Sequence, residues 1–196
     1  MRTRGRISVV SVSPRPATPD DVDAVVDLVE SAYRGDASRA GWTTEADLLG
    51  GRRTDAAMIR NLLADPRSVL LVLDDDAALP GRRGLLACCQ LERREPAADG
   101  EAPAAYFGLF AVRPGRQGAG VGSRLLAAAE EMAAGWGARR LELTVLSHRP
   151  ELLAWYERRG FRLTGATHPF PGYADARFGH PRRDDLVLLE MAKPLG

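Results

Sequence analysis

Residues 104–146 constrain this chain more than any other stretch. The apolar, aromatic run "AAYFGLFAV" leads directly into "RPGRQGAGVG", and four of the eight residues 115–122 are glycine (Gly115, Gly118, Gly120, Gly122). An Ala/Leu/Glu-rich run follows over 121–134, and "RRLELTVL" then alternates apolar and polar residues over 139–146. The pattern reads as strand, glycine loop, helix and strand, a unit that closes as a right-handed parallel crossover. Glycine just before a good helix former costs backbone entropy and weakens the first turn. In return it leaves uncovered N–H groups at the positive end of a helix dipole, a cradle for phosphate. A loop that merely turns is the plainer alternative, and the glycines alone leave both open.

The flanks supply the other elements. "ISVVSVSPRP" (7–16) is β-branched and closed by prolines, so it reads as a strand. "TPDDVDAVVDLVESAYR" is a helix with Thr18 as N-cap, Pro19 at its first position and acids in its first turn. A loop with at most one helical turn covers 35–53, and "TDAAMIRNLLADP" predicts a helix capped by Thr54 and stopped at Pro66. "SVLLVLDD" and "GLLACCQLE" form an antiparallel pair. "PELLAWYERRG" is a helix with proline in its first turn and glycine at its end. "FRLTGAT" and "DLVLLEM" are the last strands. The order β-α-α-β-β-β-α-β-α-β-β, with no repeat or linker, implies one α+β domain over 1–196 with a central, mostly antiparallel sheet.

Composition narrows the function. With 27 basic and 26 acidic residues the net charge is +1, so no nucleic-acid surface is implied. No run is apolar and long enough for a signal peptide or a membrane span. The two cysteines, Cys88 and Cys89, are neighbours in an apolar run; they read as buried thiols, with no metal-ligand spacing. A soluble, cytoplasmic protein is expected. A nucleotide-hydrolysing loop requires Lys after its last glycine, where this chain has Ser123 and Arg124. A dinucleotide fold calls for G-x-G-x-x-G early in the chain; here the spacing is G-x-G-x-G and lies past the middle, although Glu142 is suitably distant for a ribose.

"VRPGRQGAGVGSRLL" resembles the acyl-CoA pyrophosphate loop of the GNAT N-acetyltransferases, Q/R-x-x-G-x-G/A, with Gln117, Gly120 and Gly122 at its fixed positions. "LLAWYERRGF" resembles that superfamily's second signature, Y-E-x-x-G-F, through Tyr156, Glu157, Gly160 and Phe161. The resemblance covers about 104–165 well, and the element order extends it over the chain, to a bacterial subgroup without an assigned acceptor. It implies a GNAT-like fold with helices on both faces of the sheet, acetyl-CoA as co-substrate, and no metal. Backbone amides of Gln117, Gly118, Ala119, Gly120, Val121, Gly122 and Ser123 would hold the pyrophosphate. A bulge would splay the strand ending at Val112 from "LELTV", so that pantetheine pairs with it, and an N–H at Ala111 or Val112 would polarise the acetyl carbonyl. Arg113, Arg116 and Arg124 are further phosphate candidates.

The resemblance also assigns chemistry. Tyr156 is the expected general acid for the departing thiolate, a phenol of pKa ~10 beside a thiol of ~8.5. The family's usual Asn seven residues earlier is replaced by Arg149, and the strand 104–112 has no carboxylate to act as base. Glu92 on the preceding strand and Glu45 in the acceptor-side loop are the candidate bases through water, with His148 third. Trp42, Phe170, Tyr173 and Phe178 suggest an aromatic acceptor site, and Glu45 and Asp175 could attract a cation. The expected reaction is direct acetyl transfer to a primary amine of a small molecule or peptide; transfer through a cysteine is disfavoured because both thiols are expected to be buried. The alternative is a non-catalytic CoA-binding or interaction domain. A homodimer stays a possibility.

Overall fold

A computed structural model of the chain describes residues 13–75, 84–96, 101–175 and 179–196. Most of the strand expected over 7–16 lies outside these; its end, β1 (Arg15–Pro16), pairs antiparallel with Val72 and Leu71. Arg15 also bonds Asp21 and Asp74, and its guanidinium holds the Asp21 carboxyl well below the usual carboxylate range. Asp21 reaches back to the Thr18 amide at 2.8 Å, so Thr18 and Asp21 cap one tight turn that feeds α1 (Val22–Tyr33). The short α2 (Gly35–Ser38) and β2 (Leu49–Gly50) lead to α3 (Ala56–Ala64). Its N-cap is Asp55, which accepts from the Met58 amide at 2.8 Å. Thr54 does not cap it as expected, because Thr54 is buried and its amide donates to Glu30.

The remaining elements are β3 (Ser68–Asp74), β4 (Leu85–Arg94), β5 (Ala104–Val112), α4 (Val121–Gly135), β6 (Arg140–Leu146), α5 (Pro150–Glu157), β7 (Arg162–Pro169), β8 (His180–Pro181) and β9 (Val187–Pro194). Seven strands form one sheet in the order β1-β3-β4-β5-β6-β9-β7, while β2 and β8 pair separately. Among the described residues every pair is antiparallel except β5–β6. The β2–β8 pair was not anticipated; two residues on each side carry no periodic signal.

Strand alternation sorts the core into two layers. On one face Leu70, Val72, Cys88 and Ala111 meet Val25 and Val29 of α1 and Ile59 of α3. On the other, Leu71, Cys89, Phe107, Leu141 and Leu143 meet Leu125, Leu126, Ala129 and Ala133 of α4, together with Tyr156 and Phe161. The adjacent cysteines therefore serve opposite layers. Both are free and fully buried, and burial pushes the Cys88 thiol up to about 12.

The parallel pairing is brief. Ala104, Ala105 and Tyr106 face Arg140, Leu141 and Glu142, and beyond Tyr106 the two strands have no ladder. On the other side of β5, Cys88 opposes Ala111 but Gln90 opposes Gly108, so β5 holds one extra residue there. Leu109 absorbs it with φ +43°, an unusual conformation for a side chain of that size. The strand bends away and a wedge opens between β5 and β6.

Candidate active site

The glycine loop ends in Gly120, which caps α4 with φ +78°; Gly118 has φ +85°. A β-carbon added at either would meet nothing, so these glycines serve backbone shape and leave the space above them open. Gly122 differs. A β-carbon there would stand 3.0 Å from the Phe110 ring and 3.4 Å from Val112, so its smallness lets α4 close on β5. Among the described residues no protein acceptor takes the amides from Gly118 to Ser123. Ser123 and Arg159 flank them, joined by a 2.7 Å hydrogen bond from the guanidinium to the hydroxyl. Arg159 stacks 3.5 Å over the Trp155 ring. Free amides, a helix dipole and a fixed cation face one cavity, lined also by Trp42, Thr43 and Phe110. The donor set fits a pyrophosphate.

The side chain of Gln117, which borders the same cavity, fastens its wall. It donates to Thr43 Oγ1 at 2.9 Å and to the Val112 carbonyl at 3.1 Å, and accepts from the Trp42 amide at 2.9 Å. Arg149 holds the same loop from the other side, donating to the carbonyls of Thr43 and Trp42, each at 3.1 Å. Where the family often has Asn, this chain has a buried guanidinium strapping Trp42–Thr43 over the cleft.

A second cavity, about 260 Å³, lies on the far side of the bulge and shares Tyr33, Phe110 and Leu152 with the first. The Tyr33 hydroxyl donates to the Phe110 carbonyl, fixing the bulge from α1. The Arg113 amide donates to Leu86 on β4 at 2.8 Å, so strand alternation turns the Val112 N–H toward the wedge. Tyr156 lines this second cavity, with its ring edge-on to Trp155 and Phe161. Burial holds its phenol well above 10. Glu45 also lines it, buried and paired with Arg34 at 2.6 Å.

The sequence-chosen residues thus separate. Gly118, Gly120, Gly122, Ser123, Val112 and Gln117 border the first cavity; Tyr156, Glu45 and Phe170 border the second. Glu92 borders neither: it sits on β4 opposite Ser68 and Tyr106, within 3.5 Å of Gln90. His148 is engaged with Ser147 and Asp185 outside both. Arg113 donates to the Leu85 carbonyl, and Arg116 and Arg124 line neither cavity. Trp42 belongs to the glycine-loop side, Tyr173 ties Arg183 to Leu186, Asp175 lines neither cavity, and Phe178 lies outside the described residues. Sequence reasoning passed over Tyr33, Thr43, Trp155 and Arg159. Only the last two carried a signal, Trp155 directly before the Y-E-x-x-G-F segment and Arg159 within it. Among the described residues no cluster of three or more His, Cys, Asp or Glu could hold a metal, and no helix is long and apolar enough to cross a membrane.

Comparison with known proteins agrees with this geometry. The acetyltransferase (GNAT) family model matches residues 24–161. Among solved structures, a candidate phosphinothricin N-acetyltransferase is 22% identical over 95% of this chain and 99% of its own, with a TM-score of 0.65. The Salmonella typhimurium protein yncA, solved with its cofactor acetyl-CoA, is 18% identical over 94% of both chains, TM-score 0.61. A nourseothricin acetyltransferase is 25% identical over 67% of this chain and 68% of its own, TM-score 0.53. No curated protein sequence matches significantly. A family match that runs from α1 to the end of the second motif settles the membership: the chain belongs to the GNAT family and is an acetyl-CoA-dependent acetyltransferase.

Proposed function

We propose that the protein transfers an acetyl group from acetyl-CoA directly to a primary amine of a small molecule or peptide, with Tyr156 as general acid. The observation that carries this reading is the meeting of two cavities at the β5 bulge, one bordered by open amides and the other by a buried phenol. Acetyl-CoA supplies an activated thioester. The amides from Gly118 to Ser123, with Arg159, bind its pyrophosphate. The splayed edge of β5 offers strand-like hydrogen bonds to the pantetheine arm, and the Val112 N–H receives the negative charge that grows on the carbonyl oxygen.

As the N–C bond forms and the C–S bond breaks, Tyr156 gives its proton to the departing sulfur. Its raised pKa keeps it protonated through the neutral range. The proton shed by the amine passes through solvent toward Glu45, the carboxylate that lines the second cavity among the described residues. Cys88 and Cys89 take no part, since a fully buried thiol with a raised pKa is a poor nucleophile. Their free, buried state accords with a cytoplasmic setting. Release of free thiol from acetyl-CoA, followed across an amine library, tests the reading. Amine-dependent release is expected, and CoA binding without release for any amine would refute it.

A further inference from the structure

Three charged residues line the second cavity among those described: Glu45, Arg149 and Arg53. Two are committed. Glu45 is paired with Arg34 at 2.6 Å, with Arg149 Nη1 3.9 Å from its other oxygen. Arg149 spends Nη1 and Nη2 on the Thr43 and Trp42 carbonyls respectively, and Nε on Glu151 at 2.7 Å. Behind Glu45, Arg34 is itself buried, with no acceptor for Nε and Nη2 among the described residues. Arg53 has no ion pair among the described residues; its guanidinium lies 5.7 Å from the centre of the Tyr33 ring. The acid beside it on α1, Glu30, spends Oε1 on the backbone amides of Arg53 and Thr54, at 2.6 and 2.9 Å. The three lining side chains therefore sum to one positive charge, and Arg53 is the one among them whose guanidinium no described carboxylate pairs.

A half-buried cationic wall repels a bare ammonium and attracts an oxyanion, far more strongly than the same charges would in open water. Tyr33 also sets a length. Its ring lies beneath Arg53 while its hydroxyl holds the Phe110 carbonyl at the bulge, so the free cation and the reacting edge are one phenol apart. From this charge balance we infer that the acceptor is a small amine bearing its own compact oxyanion, a carboxylate or phosphorus oxyacid a few bonds from the nitrogen, with Arg53 binding that anion. The inference rests on the acetyl-transfer reading and specifies its substrate class. Arg53 becomes a specificity residue: planar, doubly donating and free to pair with a carboxylate or phosphonate.

The experiment uses matched amines: glycine, β-alanine, glutamate and 2-aminoethylphosphonate against glycinamide, β-alaninamide, ethylamine and putrescine. Thiol release from acetyl-CoA gives kcat/KM for each, and CoA affinity is measured separately by calorimetry. At least one acid-bearing amine should exceed its neutral counterpart by about 10- to 100-fold, the scale of a charged hydrogen-bonded contact. The carboxylate and phosphonate arms show which oxyanion is preferred. R53Q should abolish the preference and R53K keep part of it, both with unchanged CoA affinity. If no probe turns over, melting temperature with CoA present decides, and the acid-bearing amines must stabilise more than their neutral counterparts. Preference for neutral or cationic amines, or a preference that survives R53Q, overturns the inference. Failure to bind CoA at all would instead overturn acetyl transfer.

Discussion

The ring of Tyr156 is fixed by its neighbours, and its side chain lines the second cavity. Trp155 and Phe161 stand edge-on to it, at 5.0 and 5.4 Å between ring centres, and the phenol faces the second cavity. Tyr156→Phe keeps the packing and removes only the proton donor, so stability should change by less than about 1.5 kcal/mol. Turnover should fall about 10²–10⁴-fold with CoA affinity nearly unchanged, read by single-turnover transfer to any accepted amine. The sign of the pH effect follows from the raised phenol pKa. A required acid is lost only above its pKa, so wild-type rates should climb as the amine deprotonates and show no descending limb below pH ~10. A wild-type rate in the variant where chemistry limits would reduce Tyr156 to a core aromatic. Gly120 presents the opposite case, since it matters for what it lacks. At φ +78° with open space above, Gly120→Asp costs about 1–2 kcal/mol of backbone strain and puts a carboxylate where the pyrophosphate would sit. CoA affinity should drop at least about 100-fold by calorimetry, a loss of ~3 kcal/mol, while a folded protein survives.

Between elements, the Trp42–Thr43 segment joins the two motifs. Gln117 of the glycine loop takes its amide side, and Arg149, just before α5, takes its carbonyl side. Arg149→Met would keep a long apolar stem but leave two carbonyls without their donor and Glu151 without its cation, while Glu45 keeps Arg34. Unfolding in urea should show a loss of about 2–4 kcal/mol, the scale of breaking a buried charged network. A variant as stable as wild type would mean the segment stands without that strap. These ties mark where sequence reading stopped. The β5–α4–β6 unit was legible because period-2 runs, glycines and a helix former lie side by side in the chain. Its boundaries came out within a residue or so. Arg149 was visible only as a departure from Asn, because its partners lie 106 and 107 residues away. Glu92 was placed near the reaction by strand order alone. Sheet order could not show that the bulge opens the wedge on the β6 side while Glu92 stays beside Ser68 and Gln90. Thr54 and Asp55 are adjacent and both are capping types; only the burial of Thr54 decides between them.

At the scale of the molecule, the cleft lies where two separately packed layers come together. α1 and α3 cover one face of the sheet and α4 covers the other, yet the first cavity draws Tyr33 from α1, Phe110 from β5, Gly122 from α4 and Trp155 from α5. A ligand seated there touches both layers, so its binding energy opposes unfolding of the whole domain. CoA and acetyl-CoA should therefore raise the melting temperature cooperatively, without splitting the transition. At a free concentration of about 100 times Kd the native state gains ~2.7 kcal/mol. For a chain of this length each kcal/mol moves the midpoint by about 2–4 °C, giving a rise of roughly 5–10 °C. NAD and ATP are the controls, since each carries phosphates but the loop lacks the Lys of one fold and the glycine spacing of the other. Differential scanning with all four ligands at matched concentration makes the comparison. A shift with NAD or ATP but none with CoA would mean the open amides before α4 serve a different phosphate. A biphasic transition with CoA would mean the ligand grips only one layer, and the cleft would then not span the sheet as its lining residues require.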